Sequence, residues 1–136
     1  MESHPVLNKI LIIFSVALIF ASPVFSMDDT GFTISRMVMS ERVKDREPNG
    51  IADTFSADVE TVFCFLETKD INIDTVVSFV WYFERQEKAR INLPLKKGMR
   101  WRTYSSKKLA NMKGSWTVEL RENSGIVLNT VSFKVQ

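Results

Sequence analysis

Gly98-Met99-Arg100-Trp101-Arg102-Thr103-Tyr104-Ser105-Ser106-Lys107 alternates with a period of two. Met99, Trp101, Thr103 and Ser105 fall on one side of an extended chain, and Arg100, Arg102 and Tyr104 on the other. Successive side chains of a strand point to opposite faces, so the run predicts a strand with one core face and one basic face. Met99, Trp101 and Thr103 are expected to build the core, which leaves Arg100, Arg102 and Tyr104 for solvent or a partner.

The flanking segments repeat this pattern. Arg90 to Lys96 turns Ile91, Leu93 and Leu95 inward, and Pro94, which has no amide hydrogen, marks an edge strand. Thr75 to Glu84 sets Val77, Phe79, Trp81 and Phe83 against Val76, Ser78, Val80 and Tyr82. Asp58 to Leu66 is apolar on both faces, which fits a central strand or one covered by a loop. Phe32 to Val43 changes phase between Ile34 and Met37, which predicts a bulge near Ser35-Arg36 or two short strands. Lys44 to Gly50 reads as a charged turn region, with Pro48 and Asn49-Gly50 as its signals. Ser106 to Met112 predicts one short helical turn with Ser106 as N-cap. Ser115 to Glu122 turns Trp116, Val118 and Leu120 inward, Asn123-Ser124-Gly125 is a hairpin turn, and Ile126 to Val135 is the last strand.

About seven strands without a helical period predict an all-β fold, an antiparallel immunoglobulin-like β-sandwich. Its expected core holds Trp81, Trp101, Trp116, Phe63, Phe79 and Phe133.

Residues 1–26 differ from the rest. Lys9 precedes the apolar run Ile10 to Phe20, and Ala21 to Ser26 brings small residues and Pro23. These are the parts of a secretory signal peptide, with cleavage expected after Ser26. An uncleaved anchor is the alternative, although the run is shorter than the roughly 20 residues a spanning helix takes. The expected organisation is therefore a signal at 1–26, a short leader at 27–31 and a sandwich at 32–136, exported to the periplasm or beyond. Membrane contact is expected only if the first segment stays attached.

Composition narrows the chemistry. Cys64 is the only cysteine, so no intrachain disulfide forms, and its apolar strand makes it a small core residue. The only histidine, His4, lies in the expected signal, which removes Ser-His and Cys-His dyads and the usual zinc sites from the rest. The net charge of +2 is unchanged by losing Lys9 and Glu2 together, and is too small for a nucleic-acid binder. No cofactor or metal is expected. Asp70 and Asp74 lack the glycine-turn loop of a calcium motif.

Arg46-Glu47-Pro48, Trp81-Tyr82, Trp101 to Lys107, Gly114 to Glu119, Gly125 to Leu128 and Phe133-Lys134-Val135 occur in that order. Together they resemble a bacterial family of unknown function, numbered 2914, over roughly Ser35 to Val135. The Trp-Arg-Thr-aromatic-Ser-Ser-Lys run carries most of the resemblance. It implies an exported or membrane-linked β-sandwich domain and brings no established activity. A histidine often precedes the family's Trp-Tyr pair, where this chain has Phe79-Val80.

Arg46, Arg100, Arg102, Tyr104 and Lys107 are the candidate binding residues. Guanidinium and ammonium groups beside an aromatic ring suit an anionic glycan, a phosphate or an acidic protein. The same cations would also protect a solvated strand edge, and Arg46-Glu47 would also pin a turn. The tryptophans read as core, with a sugar platform at Tyr104 or Tyr82 as the alternative. For catalysis, Asp45, Glu47, Asp53 and Asp58 offer carboxylates but no selecting spacing, and Ser105 or Ser106 with Lys107 or Lys108 offers a generic Ser-Lys pair. The expectation is a non-catalytic module that binds an unidentified envelope protein or glycan. A carbohydrate or anionic-ligand domain is the first alternative, and a small hydrolase the second.

Overall fold

The computed structural model describes residues 30–136. The expected signal peptide and most of the leader lie outside those residues. The described residues form nine strands: β1 (Thr33–Lys44), β2 (Glu47–Ile51), β3 (Thr54–Phe55), β4 (Thr61–Ile71), β5 (Thr75–Phe83), β6 (Gln86–Leu95), β7 (Gly98–Lys108), β8 (Gly114–Glu122) and β9 (Val127–Val135). They make a four-stranded sheet, β2-β1-β4-β7, packed on a five-stranded sheet, β3-β9-β8-β5-β6. The protein is thus an all-β sandwich. Among the described residues no helix is long and apolar enough to cross a membrane.

The two strands beyond the expected seven are β2, which begins in the stretch that reads as a turn, and β3, in residues 51–57, for which no element is predicted. Asp45 (φ 52°) and Arg46 (φ 63°) make the β1–β2 turn, not Pro48-Asn49-Gly50. Two successive left-handed residues match the twist of a two-residue hairpin, and the register Lys44↔Glu47 closes it. Pro48 is tolerated because β2 is an edge. Gly50 is needed inside β2: its φ is +76°, and a Cβ there would meet Glu41 Cβ at 3.1 Å. The expected helical turn is also absent. Ser106 to Lys108 complete β7, and Ala110 and Asn111 take positive φ, which a right-handed helix excludes.

The β1–β4 register shifts between Ile34 and Arg36, the place where the sequence changes phase. The bulge lets Ile34 before it and Met37 and Met39 after it all pack on the core. Pro94 lies in β6, an edge of the five-stranded sheet.

Trp81, Trp116, Phe79 and Phe133 are buried between the sheets. Trp116 stacks on Phe133 at 5.8 Å, and Trp81 meets the same ring edge-on at 6.2 Å. Each such ring removes about 150–250 Å² from water. At ~25 cal/mol per Å² that contributes roughly 4–6 kcal/mol apiece as an upper bound. Their polar atoms are satisfied: Trp116 Nε1 donates to the Met112 carbonyl at 3.1 Å, and Trp81 Nε1 donates across the sandwich to Ser105 Oγ at 2.9 Å.

Four residues expected in the core are not enclosed there, among them Thr103, which is half-buried. Phe63 faces outward, because the Val62, Cys64 and Leu66 phase of β4 takes the core side. Trp101 only half-buries against the core, since β7 ends its sheet. Met99, near the start of that strand, is 86% exposed.

Candidate binding surface on the four-stranded sheet

Register brings the outward residues of three strands into rows. Arg36 of β1 and Arg102 of β7 flank Glu67 of β4. In the next row Val38 and Tyr104 flank Phe65. Side chains in one row stand about 5 Å apart, so charges of opposite sign meet without reaching.

The β1–β2 hairpin closes over these rows. Glu47 pairs with Lys44, so along a straight β1 it would stand eight residues beyond Arg36, roughly 26 Å away at ~3.3 Å per residue. Yet Arg36 Nη2 donates to Glu47 Oε1 at 3.1 Å and to Oε2 at 3.3 Å. The strand therefore bends after Ser40, its last pairing with β4, and carries the turn back across the sheet. The Ser40 hydroxyl donates to the Arg42 carbonyl at 2.9 Å and so supports the bend.

Under the hairpin two glutamates are shared among three arginines. Arg36 also donates to Glu67 Oε1 at 3.0 Å. Arg102 Nη1 lies 3.1 Å from Glu47 Oε2 and donates to the Arg46 carbonyl at 3.2 Å. Arg100 Nη1 lies 3.7 Å from Glu67 Oε2. The Glu47 carboxylate first, with Glu67 adding to it, raises the Arg36 pKa further, so that guanidinium stays charged at any pH the protein survives. Its Cζ stands 5.0 Å above the Phe65 ring, and Phe65 is only 1% exposed although it points away from the core. Tyr104, 46% exposed, meets Phe63 edge-on at 5.5 Å. A recess of about 150 Å³ opens between Val43, Arg46, Phe65, Arg102, Thr103 and Tyr104.

Four of the five candidate residues, Arg46, Arg100, Arg102 and Tyr104, come together here. Lys107 does not. It shares the inward phase with its register partner Val62, and its ammonium donates to the Lys108 carbonyl at 3.2 Å. Arg36 and Glu67 escaped the sequence reading, because only cross-strand register places them beside Arg102. Their outward phase within their own strands is the one local signal.

The other candidate groups have different uses. Ser105 is 3% exposed, with its oxygen accepting the Trp81 N–H. Burial pushes the Cys64 thiol up to about 12, which leaves no thiolate near neutrality. Asp74 Oδ1 accepts the Lys97 amide at 2.8 Å and braces the entry to β7. Among the described residues no three His, Cys, Asp or Glu side chains gather as a metal site.

A second polar cluster lies on the outer face of the five-stranded sheet. The Tyr82 hydroxyl donates to Glu119 Oε1 at 3.1 Å and accepts from Arg121 Nη2 at 3.0 Å. Arg121 also pairs with Glu119 at 2.6 Å, and Arg90 pairs with Glu87 at 2.9 Å. Burial, then the Glu119 hydrogen bond, raises the Tyr82 pKa.

Residues 74–135 match the model of a family described as "Protein of unknown function (DUF2914)". The match spans β5 to β9, including Trp81-Tyr82 and the Trp101–Lys107 run; Arg36, Arg46, Glu47 and Glu67 precede it. No curated protein matches the chain. Among solved structures, the β-glucosidase from Kluyveromyces marxianus is similar at 13% identity and a TM-score of 0.44, covering 77% of this chain and 14% of that one. The β-glucosidase from Listeria innocua in complex with glucose gives 12% identity and a TM-score of 0.47, covering 76% of this chain and 15% of that one. The chain thus spans a small part of each enzyme's length.

Proposed function

We propose, for a chain whose residues 74–135 match the DUF2914 family, a non-catalytic binding module that meets an acidic partner on the outer face of its four-stranded sheet. The observation that carries this reading is a surplus of guanidinium. Arg36, Arg100 and Arg102 share two carboxylates, Glu47 and Glu67, so one positive charge is left over on this surface, and Arg46 adds another at the recess beside it. Arg100 is the most available of the three arginines paired with Glu47 or Glu67, with its side chain 58% exposed and its carboxylate contact the longest. Guanidinium forks take carboxylates and phosphates in two-point contacts, and the half-exposed Tyr104 supplies a stiff amphipathic ring beside them.

The partner is an acidic protein of the cell envelope. The signal-like residues 1–26 address the chain there, and a face this open suits a protein surface better than an enclosed small molecule. An anionic ligand or glycan is the second reading, supported by the recess between Arg46, Arg102 and Tyr104. Binding rather than hydrolysis draws support from Ser105, whose oxygen is spent on a core indole.

Cross-linked capture from native envelopes by the full chain tests the proposal. An acidic protein should be recovered, and recovery should fall with added salt. It should also fall in the Arg46→Glu, Arg100→Glu double variant, whose two positions are exposed. Recovery unchanged by that variant sinks the reading.

A further inference from the structure

Among the described residues the sandwich has four strand edges, and they are protected unequally. Exposed edges offer unpaired amide and carbonyl groups, and proteins blunt them with short length, proline, bulges or charge. β3 has two residues. β2 has five, including Pro48 and Gly50. β6 has ten but contains Pro94, and its pairing with β5 is broken by a register shift beside Trp81. β7 is eleven residues long, contains no proline, and pairs with β4 from Lys108 to Gly98 without a register shift.

The protection on β7 is electrostatic. Arg100, Arg102, Lys107 and Lys108 lie within it, and Lys96 and Lys97 precede it. Such an edge repels a second copy of itself, because self-pairing crowds arginines together. It attracts a strand of the opposite sign. The charge therefore selects a partner as well as discouraging association.

We propose that the free edge of β7 accepts an extended acidic segment of a partner protein as a fifth strand of this sheet. Main-chain hydrogen bonds to the unpaired side of β7 hold the segment, and acidic residues at every second position lie opposite Arg100 and Arg102. This deepens the function proposed above and rests on its premise that this surface recognises acid.

The probe is a synthetic peptide of about ten residues alternating Glu and Val, titrated into the full chain beside the same peptide N-methylated at alternate backbone nitrogens. The plain peptide should bind and should slow hydrogen exchange at alternate amides of Gly98 to Lys108. N-methylation should weaken it at least about tenfold, since it removes the main-chain bonds and keeps the charge. Failure of the plain peptide to bind overturns strand addition, as does equal binding of the two. In the latter case, loss of both peptides in the Arg46→Glu, Arg100→Glu variant leaves the acidic-partner surface standing. Equal binding to variant and wild type removes that surface as well.

Discussion

The outer face of the four-stranded sheet buries a phenylalanine, Phe65, and the outer face of the five-stranded sheet buries a valine, Val80. Phe65 is reached by a hairpin that folds back from another part of the chain, with Glu47 as its clasp and Arg36 over the ring. Val80 has no such cover; it lies in register between Arg90 and Glu119 within its own sheet. The polar groups differ in the same way. Glu87 and Glu119 match Arg90 and Arg121 one for one, with Tyr82 joining the second pair. The four-stranded face keeps arginines in excess. A neutralised face has little left to offer a charged partner, whereas the hairpin-covered face combines an apolar floor, a clasp and unspent charge.

Truncating the two floors should separate them most. Phe65→Ala should cost about 3–5 kcal/mol in denaturant unfolding, and Val80→Ala about 1–2 kcal/mol. Equal costs would mean that the hairpin adds no burial. Removing the charge at the centre of each cluster comes next. Glu67→Gln leaves Arg36, Arg100 and Arg102 competing for Glu47 and should cost about 1–3 kcal/mol. Glu119→Gln, on the more open face, should cost less than about 1 kcal/mol. A reversal of that order would contradict the account of both clusters. Glu47→Gln should cost under about 1 kcal/mol, because half of that side chain is exposed, and the difference should vanish at high salt. Its clearer sign is faster amide exchange across Asp45 to Asn49.

The smallest effect is a pH dependence confined to the five-stranded face. Burial and Glu119 raise the Tyr82 pKa above its ordinary 10.0, so the folded protein holds that proton more tightly than the unfolded chain. The resulting stabilisation is complete below pH 10 and is lost as pH climbs through the raised value. Tyr82→Phe should flatten this alkaline decline and leave the neutral range unaffected, as read by unfolding curves taken across pH. A decline unchanged in the variant would remove Tyr82 as its source.

Local pattern carried much of the fold. The phase change at Ser35-Arg36 located a bulge, Pro94 marked an edge, and alternation in Thr75 to Glu84 separated the core face of β5. The errors arose where a residue's conformation or neighbours are set from afar. Asp45 and Arg46 adopt positive φ without glycine, so the stronger turn signal at Asn49-Gly50 misled. Met99 obeys the alternation but lies near the end of an edge strand, where the core has run out. Phe65 was legible, since Asp58 to Leu66 reads as apolar on both faces; what covers its outer face, the returning β1–β2 hairpin, was not. At the site, the run from Arg100 to Tyr104 displayed its own basic face. Arg36 and Glu67 needed register, and Lys107 fell on the opposite phase.

The bond from Trp81 to Ser105 has a consequence for how the chain finds its structure. Ser105 lies in register with Cys64 on one sheet, while Trp81 lies in β5 of the other. A slip of β7 by one residue would exchange its two faces. The serine would leave the interior, the indole N–H would be stranded at a cost of about 1–3 kcal/mol, and an arginine or Tyr104 would be driven inward. One hydroxyl thus works as a key between the layers, admitting a single alignment and rejecting its nearest competitors while the sandwich assembles.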